Sequence, residues 1–166
     1  GRYFDVQQSV SPLKTLDGET MGAVMVLQDV TASRELMKKL SYSASHDALT
    51  GLPNRASFEK QLKAAIVAGG EPSPPHSLVF LDLDRFKAVN DTAGHAAGDA
   101  LLRDIAQLMR HQLRNSDCLA RLGGDEFGLI LFDCRLEQAK SLMQQVVNQI
   151  SQHPFYWEGK IYRVGA

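Results

Sequence analysis

RLGGDEFGLI, residues 121–130, places two glycines at a corner, two carboxylates directly after it and an apolar run behind them. An ionised carboxylate is expensive to bury unless it is paired or bound to a metal. Asp125 and Glu126 therefore stand at an exposed strand end, or they hold something positive. Paired glycines suit a tight corner, so the pattern predicts a β-hairpin over 118–132 turning at Gly123-Gly124. In that hairpin Cys118 faces the region of Leu129 and not Cys134, which argues against a disulfide between the two cysteines. Unpaired cysteines fit a reducing compartment.

Upstream, residues 77–81 (SLVFL) form a short apolar run, read as a buried strand, that leads directly into Asp82-Leu83-Asp84. If this strand neighbours the hairpin, two acidic clusters meet at one end of a sheet. Converging carboxylates repel and must be protonated, solvated or bridged by a cation. Their hard oxygens suit Mg²⁺, which keeps water and takes phosphate oxygens as remaining ligands. Such a site can polarise a phosphoryl group and lower the pKa of an attacking hydroxyl. Gly124 leaves no side chain beside the acids, so a nucleotide could approach the backbone closely. Asp82 and Asp84 alone read as soluble loop residues; the two clusters together, each against an apolar strand, favour the cation.

The remaining chain supplies a frame for this site. Residues 3–10 and 21–27 read as two strands around a turn at Asp17-Gly18. Two strands bury too little to be stable alone, so residues 1–30 are expected to be the tail of a domain whose front is absent. Thr31 can cap a helix reaching about Ser45, with Leu36 and Leu40 on one face. Residues 31–46 form a linker that is either a solvated connector or a short parallel coiled coil. Asn54 caps a helix with Phe58, Leu62 and Ile66 on its apolar face, and a loop follows from Gly69 to Pro75. Residues 84–89 suit a short helical turn. Residues 99–113 suit a long helix with Leu102, Ile105, Leu108 and Met109 inward and Asp99 at its positive end. A further helix runs from Leu136 to Ile150 with Leu136, Ala139, Met143, Val146 and Ile150 on one face. Glu158-Gly159 marks a turn into a strand over 161–164. Helices covering one face of a mixed sheet give an α+β layout.

With 166 residues, 44% hydrophobic, the chain can form one ordinary domain or one domain plus a piece of another. Eighteen basic and nineteen acidic side chains leave a net charge of −1, without the footprint expected for duplex nucleic acid or an anionic membrane surface. A few placed cations would still hold a small anion. No signal peptide and no bilayer-spanning apolar run is visible. A cytoplasmic location is expected, and a longer parent could still be tethered to the inner membrane.

These stretches carry a family resemblance. GGDEF at 123–127 is the signature that names the GGDEF family of diguanylate cyclases. Residues 47–55 (DALTGLPNR) resemble that family's opening motif, and residues 80–91 (FLDLDRFKAVND), with Gly94-His95 and Gly98-Asp99, resemble its central nucleotide-binding stretch. The resemblance implies a ferredoxin-like nucleotidyl-cyclase fold over 47–166, incomplete at its C-terminus, and condensation of two GTP into cyclic di-GMP plus pyrophosphate in a homodimer. It implies Mg²⁺, with Mn²⁺ as the alternative, held by Asp82, the Leu83 carbonyl, Asp125 and Glu126. Asp125, Glu126 and Lys87 are the implied catalytic residues, Lys87 offsetting phosphate charge; without the motif it reads as a surface lysine. Asn90 and Asp99 match the guanine readers, although Asp99 also suits a helix cap. His95 matches a nucleotide contact or a structural turn histidine.

Residues 114–117 (RNSD), with five residues between Asp117 and Gly123, resemble the family's inhibitory product site, which implies cyclic di-GMP at Arg114 and Asp117. Residues 1–30, with Asp29-Val30-Thr31, resemble the end of a PAS sensor domain and its exit into a signalling helix. The expected activity of this 166-residue piece is poor or absent. The alternative is a non-catalytic GTP- or cyclic-di-GMP-binding domain, fused to a phosphodiesterase or another output.

Overall fold

The computed structural model describes residues 3–68 and 74–166, and the chain divides into two compact units, residues 1–43 and 44–166. The first unit is an antiparallel hairpin, β1 (Val6–Lys14) and β2 (Thr20–Asp29), followed by the helix α1 (Thr31–Ser45). The strands and turn appear where the alternation placed them, although β1 begins later and runs through Pro12. Such an edge position tolerates a proline. Every residue of both strands is exposed, and α1 buries none. Thr31 does not act as the expected cap: its Oγ1 donates to Asp29 Oδ1 at 2.6 Å and accepts the Asp5 amide at 2.8 Å. Those two bonds tie the helix start to both ends of the hairpin.

In the second unit the order is α2 (Arg55–Ala68), β3 (Ser77–Asp82), α3 (Phe86–Ala93), α4 (His95–Gln112), β4 (Cys118–Gly123), β5 (Glu126–Leu131), α5 (Leu136–Gln152), β6 (Phe155–Trp157) and β7 (Lys160–Tyr162). β3, β5 and β4 make a three-stranded antiparallel sheet with β5 in the centre, and β6–β7 is a separate hairpin. The expected loop from Gly69 to Pro75 lies largely outside the described residues.

Period-two alternation gives the sheet two covered faces. Leu81, Leu119, Phe127 and Leu129 join Leu101, Ile105, Met109, Val146 and Ile150 of α4 and α5 in the larger core. Cys118, Ala120 and Ile130 point the other way, onto Phe58 and Ala65 of α2. Helices therefore cover both faces, not one. α2 accounts for the difference: Ala65 is buried, whereas Ile66, expected on its apolar face, is 69% exposed. Among the described residues β3 lies at the edge of this sheet, and its Leu78 and Phe80, expected to be buried, are 46% and 66% exposed. Leu136 of α5 is likewise exposed, while Ala139, Val146 and Ile150 carry the buried stripe.

Asn54 caps α2 as the sequence suggests, its Oδ1 accepting the Ser57 amide at 3.0 Å. α4 starts at His95, so Asp99 lies on its second turn and caps nothing. Cys118 pairs in register with Ile130, one residue from the Leu129 expected, and both cysteines are free thiols. Gly165 forms an isolated bridge with Asp84, bringing the last residues of the chain beside the end of β3.

Candidate functional site

The β4–β5 register pairs Gly123 with Glu126, so the two-residue corner is Gly124-Asp125. Gly124 takes φ +54°, a left-handed conformation that a side chain disfavours. The space where its Cβ would stand is open. The corner is braced from outside: Arg121 donates from Nε and Nη2 to the Gly124 carbonyl at 2.9 and 2.8 Å. The same guanidinium holds Asp47 through Nη1, at 3.0 and 3.2 Å to its two carboxylate oxygens. Thr50 donates its amide and hydroxyl to Asp47 as well. Partial burial works against the ionised Asp47, but the Thr50 and Arg121 bonds prevail and hold its carboxyl below the usual range. Thus the stretch at 47–55 fixes the shape of the acidic corner from 74 residues away.

β3 and β5 place Asp82 directly opposite Glu126. Facing residues on neighbouring strands project to the same side, and like charges there repel. Asp125 adds a third carboxylate at the corner and Asp84 a fourth. Desolvation at the strand end, then Asp125, Glu126 and Asp84 in turn, push the Asp82 carboxyl up. Arg55 pairs directly with one of these acids: its Nη2 lies 3.4 Å from Glu126 Oε2 while its Nε donates to the Leu122 carbonyl at 3.0 Å. Arg55, Phe80, Asp82 and Glu126 line a groove of about 370 Å³. Among the described residues no three His, Cys, Asp or Glu side chains form a ready-made cation cage. The donor set nevertheless fits a hard divalent cation: carboxylates that repel one another, the Leu83 carbonyl engaged by Phe86 only at 3.5 Å, and room for phosphate oxygens.

Behind this end of the sheet, Arg85 takes φ 64° and turns the chain into α3. Lys87 is exposed on the first turn of that helix, and Asn90 is half-buried one turn further on. His95 opens α4 and is exposed, as is Asp99. Asn90 lies against Gly98, one residue before Asp99, so α3 and α4 bring both expected guanine readers to one helix junction.

Arg114 and Asp117 do not join this site. They line a separate groove of about 500 Å³ between the end of α4 and α5, with Gln138 and Gln145. Arg114 is exposed, but Asp117 is buried, and its two oxygens accept the Arg114 amide at 3.0 Å and the Phe132 amide at 3.3 Å. Arg55 and Arg121 carried no role in the sequence reading. Their positions inside motif stretches were the available signal, but pairing across 71 and 74 residues is a property of the fold.

A family model described as "Diguanylate cyclase, GGDEF domain" matches residues 44–164. A protein of Escherichia coli K12 described as "Probable diguanylate cyclase DgcE" is 58% identical over the whole chain, which spans 15% of that relative. The cyclic di-GMP phosphodiesterase PdeB of Shewanella oneidensis is 34% identical over 160 residues, 96% of this chain and 18% of that protein. Among solved structures, the coiled coil and GGDEF domain of DgcB from Caulobacter crescentus in complex with c-di-GMP superposes with a TM-score of 0.74 at 26% identity, over 82% of this chain and 73% of that one.

Proposed function

The chain belongs to the diguanylate cyclase GGDEF domain family, and from that premise we propose that the protein containing it condenses two GTP molecules into cyclic di-GMP. In each of two condensations a ribose 3′-OH attacks the α-phosphorus of the other GTP, a P–O bond forms, and pyrophosphate leaves. Two copies of the domain, each holding one GTP, face one another for this reaction. The observation that carries the reading is the direct register of Asp82 with Glu126 beside the Gly124-Asp125 corner.

Asp82, the Leu83 carbonyl, Asp125 and Glu126 would hold the divalent cation, Mg²⁺ or Mn²⁺. When bound, that cation supplies Lewis-acid polarisation of the phosphates and lowers the pKa of the attacking hydroxyl. Asp125, at the corner, accepts the 3′-OH proton in this reading, with Glu126 assisting. Lys87 offsets phosphate charge as the pyrophosphate leaves. The Asp99 carboxylate accepts both N1–H and N2–H of guanine, a donor pair adenine lacks, while Asn90 adds an amide contact and His95 a further contact to the nucleotide. The open side of Gly124 lets the nucleotide lie against the backbone.

Arg114 and Asp117 constitute a product site. Arginine bonds guanine O6 and N7 bidentately, and the Asp117 backbone contacts hold the turn that presents it. Arg114→Ala should relieve product inhibition and leave initial rates unchanged; unaltered inhibition contradicts this assignment. The N-terminal hairpin and α1 are the end of a PAS-like sensor and its signalling helix in this reading. Incubating the longer protein with GTP and Mg²⁺ should yield one cyclic di-GMP per two pyrophosphates. Asp125→Asn should cut turnover at least about hundredfold, as loss of a group acting in the transition state does.

A second reading is favoured by the match to PdeB, named for hydrolysis of the product and not its synthesis. There the domain binds GTP or cyclic di-GMP and regulates a fused output. Saturable nucleotide binding with no product formed, in wild type and Asp125→Asn alike, would establish it.

A further inference from the structure

Alanine is the better residue for a helix interior, and glycine weakens one. Ala96 and Ala97 follow that rule in the first turn of α4, yet the next residue is Gly98, buried and with an ordinary helical backbone. Backbone conformation therefore does not call for glycine there. A Cβ built on Gly98 would overlap Asn90 Oδ1, lie 2.9 Å from Asn90 Cγ and come within 3.2 Å of Phe86 Cζ. The Asn90 amide thus occupies the volume that any other residue at position 98 would take. Its backbone is fixed independently, since the Asn90 carbonyl accepts the Gly94 amide at 2.9 Å at the end of α3.

We propose that Gly98 is a positioning residue for nucleotide recognition: it provides the slot in which the Asn90 side chain is held beside Asp99. This rests on the reading of Asn90 as a contact to the guanine base. Only the amide of Asn90 obstructs a Cβ within 3 Å, and an amide can rotate away on its two side-chain torsions without unfolding either helix. Substitution at position 98 should therefore spare the fold and misdirect the reader. A base contact acts on binding, so KM should change and kcat should not.

The test is a double-mutant cycle in the longer protein, with steady-state kinetics on GTP and thermal melting for each variant. Gly98→Ala should raise KM by about tenfold, the equivalent of one hydrogen bond, with kcat within about twofold and the melting temperature unchanged or higher. Asn90→Ala should do the same, and the double variant should be no worse than either alone. If Asn90→Ala raises KM and Gly98→Ala does not, or if the two effects add in full, the slot is refuted while the guanine reading stands. A sharply lower melting temperature for Gly98→Ala also refutes it, because the clash would then be absorbed by the backbone. If Asn90→Ala leaves KM unchanged, the guanine reading of that residue fails, and the inference with it.

Discussion

Asp82 and Glu126 face one another in a conflict that the proposed cation would relieve. Two acids directly opposite on adjacent antiparallel strands, with Asp125 beside them, weaken the fold wherever no cation is present. Asp82→Asn should therefore raise the melting temperature of the metal-free chain while abolishing cyclase turnover in the longer protein; a lower melting temperature would show that the carboxylates do not repel. Gly128 presents the opposite case, a residue fixed by packing. A Cβ there would stand 2.8 and 2.9 Å from two atoms of the Phe58 ring and 3.1 Å from Leu122 Cδ1. Overpacking of a rigid aromatic contact costs about 1–3 kcal/mol, so Gly128→Ala should lower stability by that amount in urea denaturation with GTP affinity little changed. The sequence showed the acids plainly, since a carboxylate pair against an apolar run demands an explanation. It could not show why position 128 is glycine, because the ring that excludes a side chain comes from α2, 70 residues earlier.

Between elements, the Arg121 guanidinium joins the loop before α2 to the β4–β5 corner through Asp47 and the Gly124 carbonyl. Arg121→Ala removes both guanidinium donors from the Gly124 carbonyl and leaves Asp47 with its Thr50 bonds alone in a partly buried place, and should cost about 1–3 kcal/mol. Asp47, through its Thr50 and Arg121 bonds, also sets a pH dependence. The folded-state pKa of Asp47 is depressed, so its contribution is present above the ordinary carboxylate range and is lost as pH falls through the folded value. Asp47→Asn should accordingly flatten the acid limb of the stability profile, and an unchanged acid limb would contradict the stabilisation of the ionised carboxylate by Thr50 and Arg121. The 118–132 hairpin, the Asn54 cap and most of the buried stripe of α5 were legible because each rests on local spacing, although the corner falls at Gly124-Asp125 and not Gly123-Gly124, and β6 gave no signal. The edge position of β3 and the rotation of α2 were not. Apolar residues at 78 and 80 read as burial, whereas their exposure depends on which strands flank β3, and that is a matter of topology.

At the scale of the molecule, the two units differ in how they are held. Residues 44–166 carry both apolar clusters, while in residues 3–43 each strand residue and each helical side chain is at least partly exposed. An isolated hairpin is marginal in water. Amides of β1 and β2 in this chain should exchange far faster than those of β5, and comparable protection would contradict the division. No helix among the described residues is long and apolar enough to cross a membrane. The family assignment, the register of the acids and the braced corner support the proposal that a divalent cation is held between β3 and β5. The most direct measurement is a Mg²⁺ titration of the 166-residue chain with a non-hydrolysable GTP analogue, followed by thermal melting, in wild type and Asp82→Asn. The account predicts a saturable rise in melting temperature for wild type that is absent or shifted to far higher Mg²⁺ in the variant. The same rise at the same concentration in both proteins would contradict it.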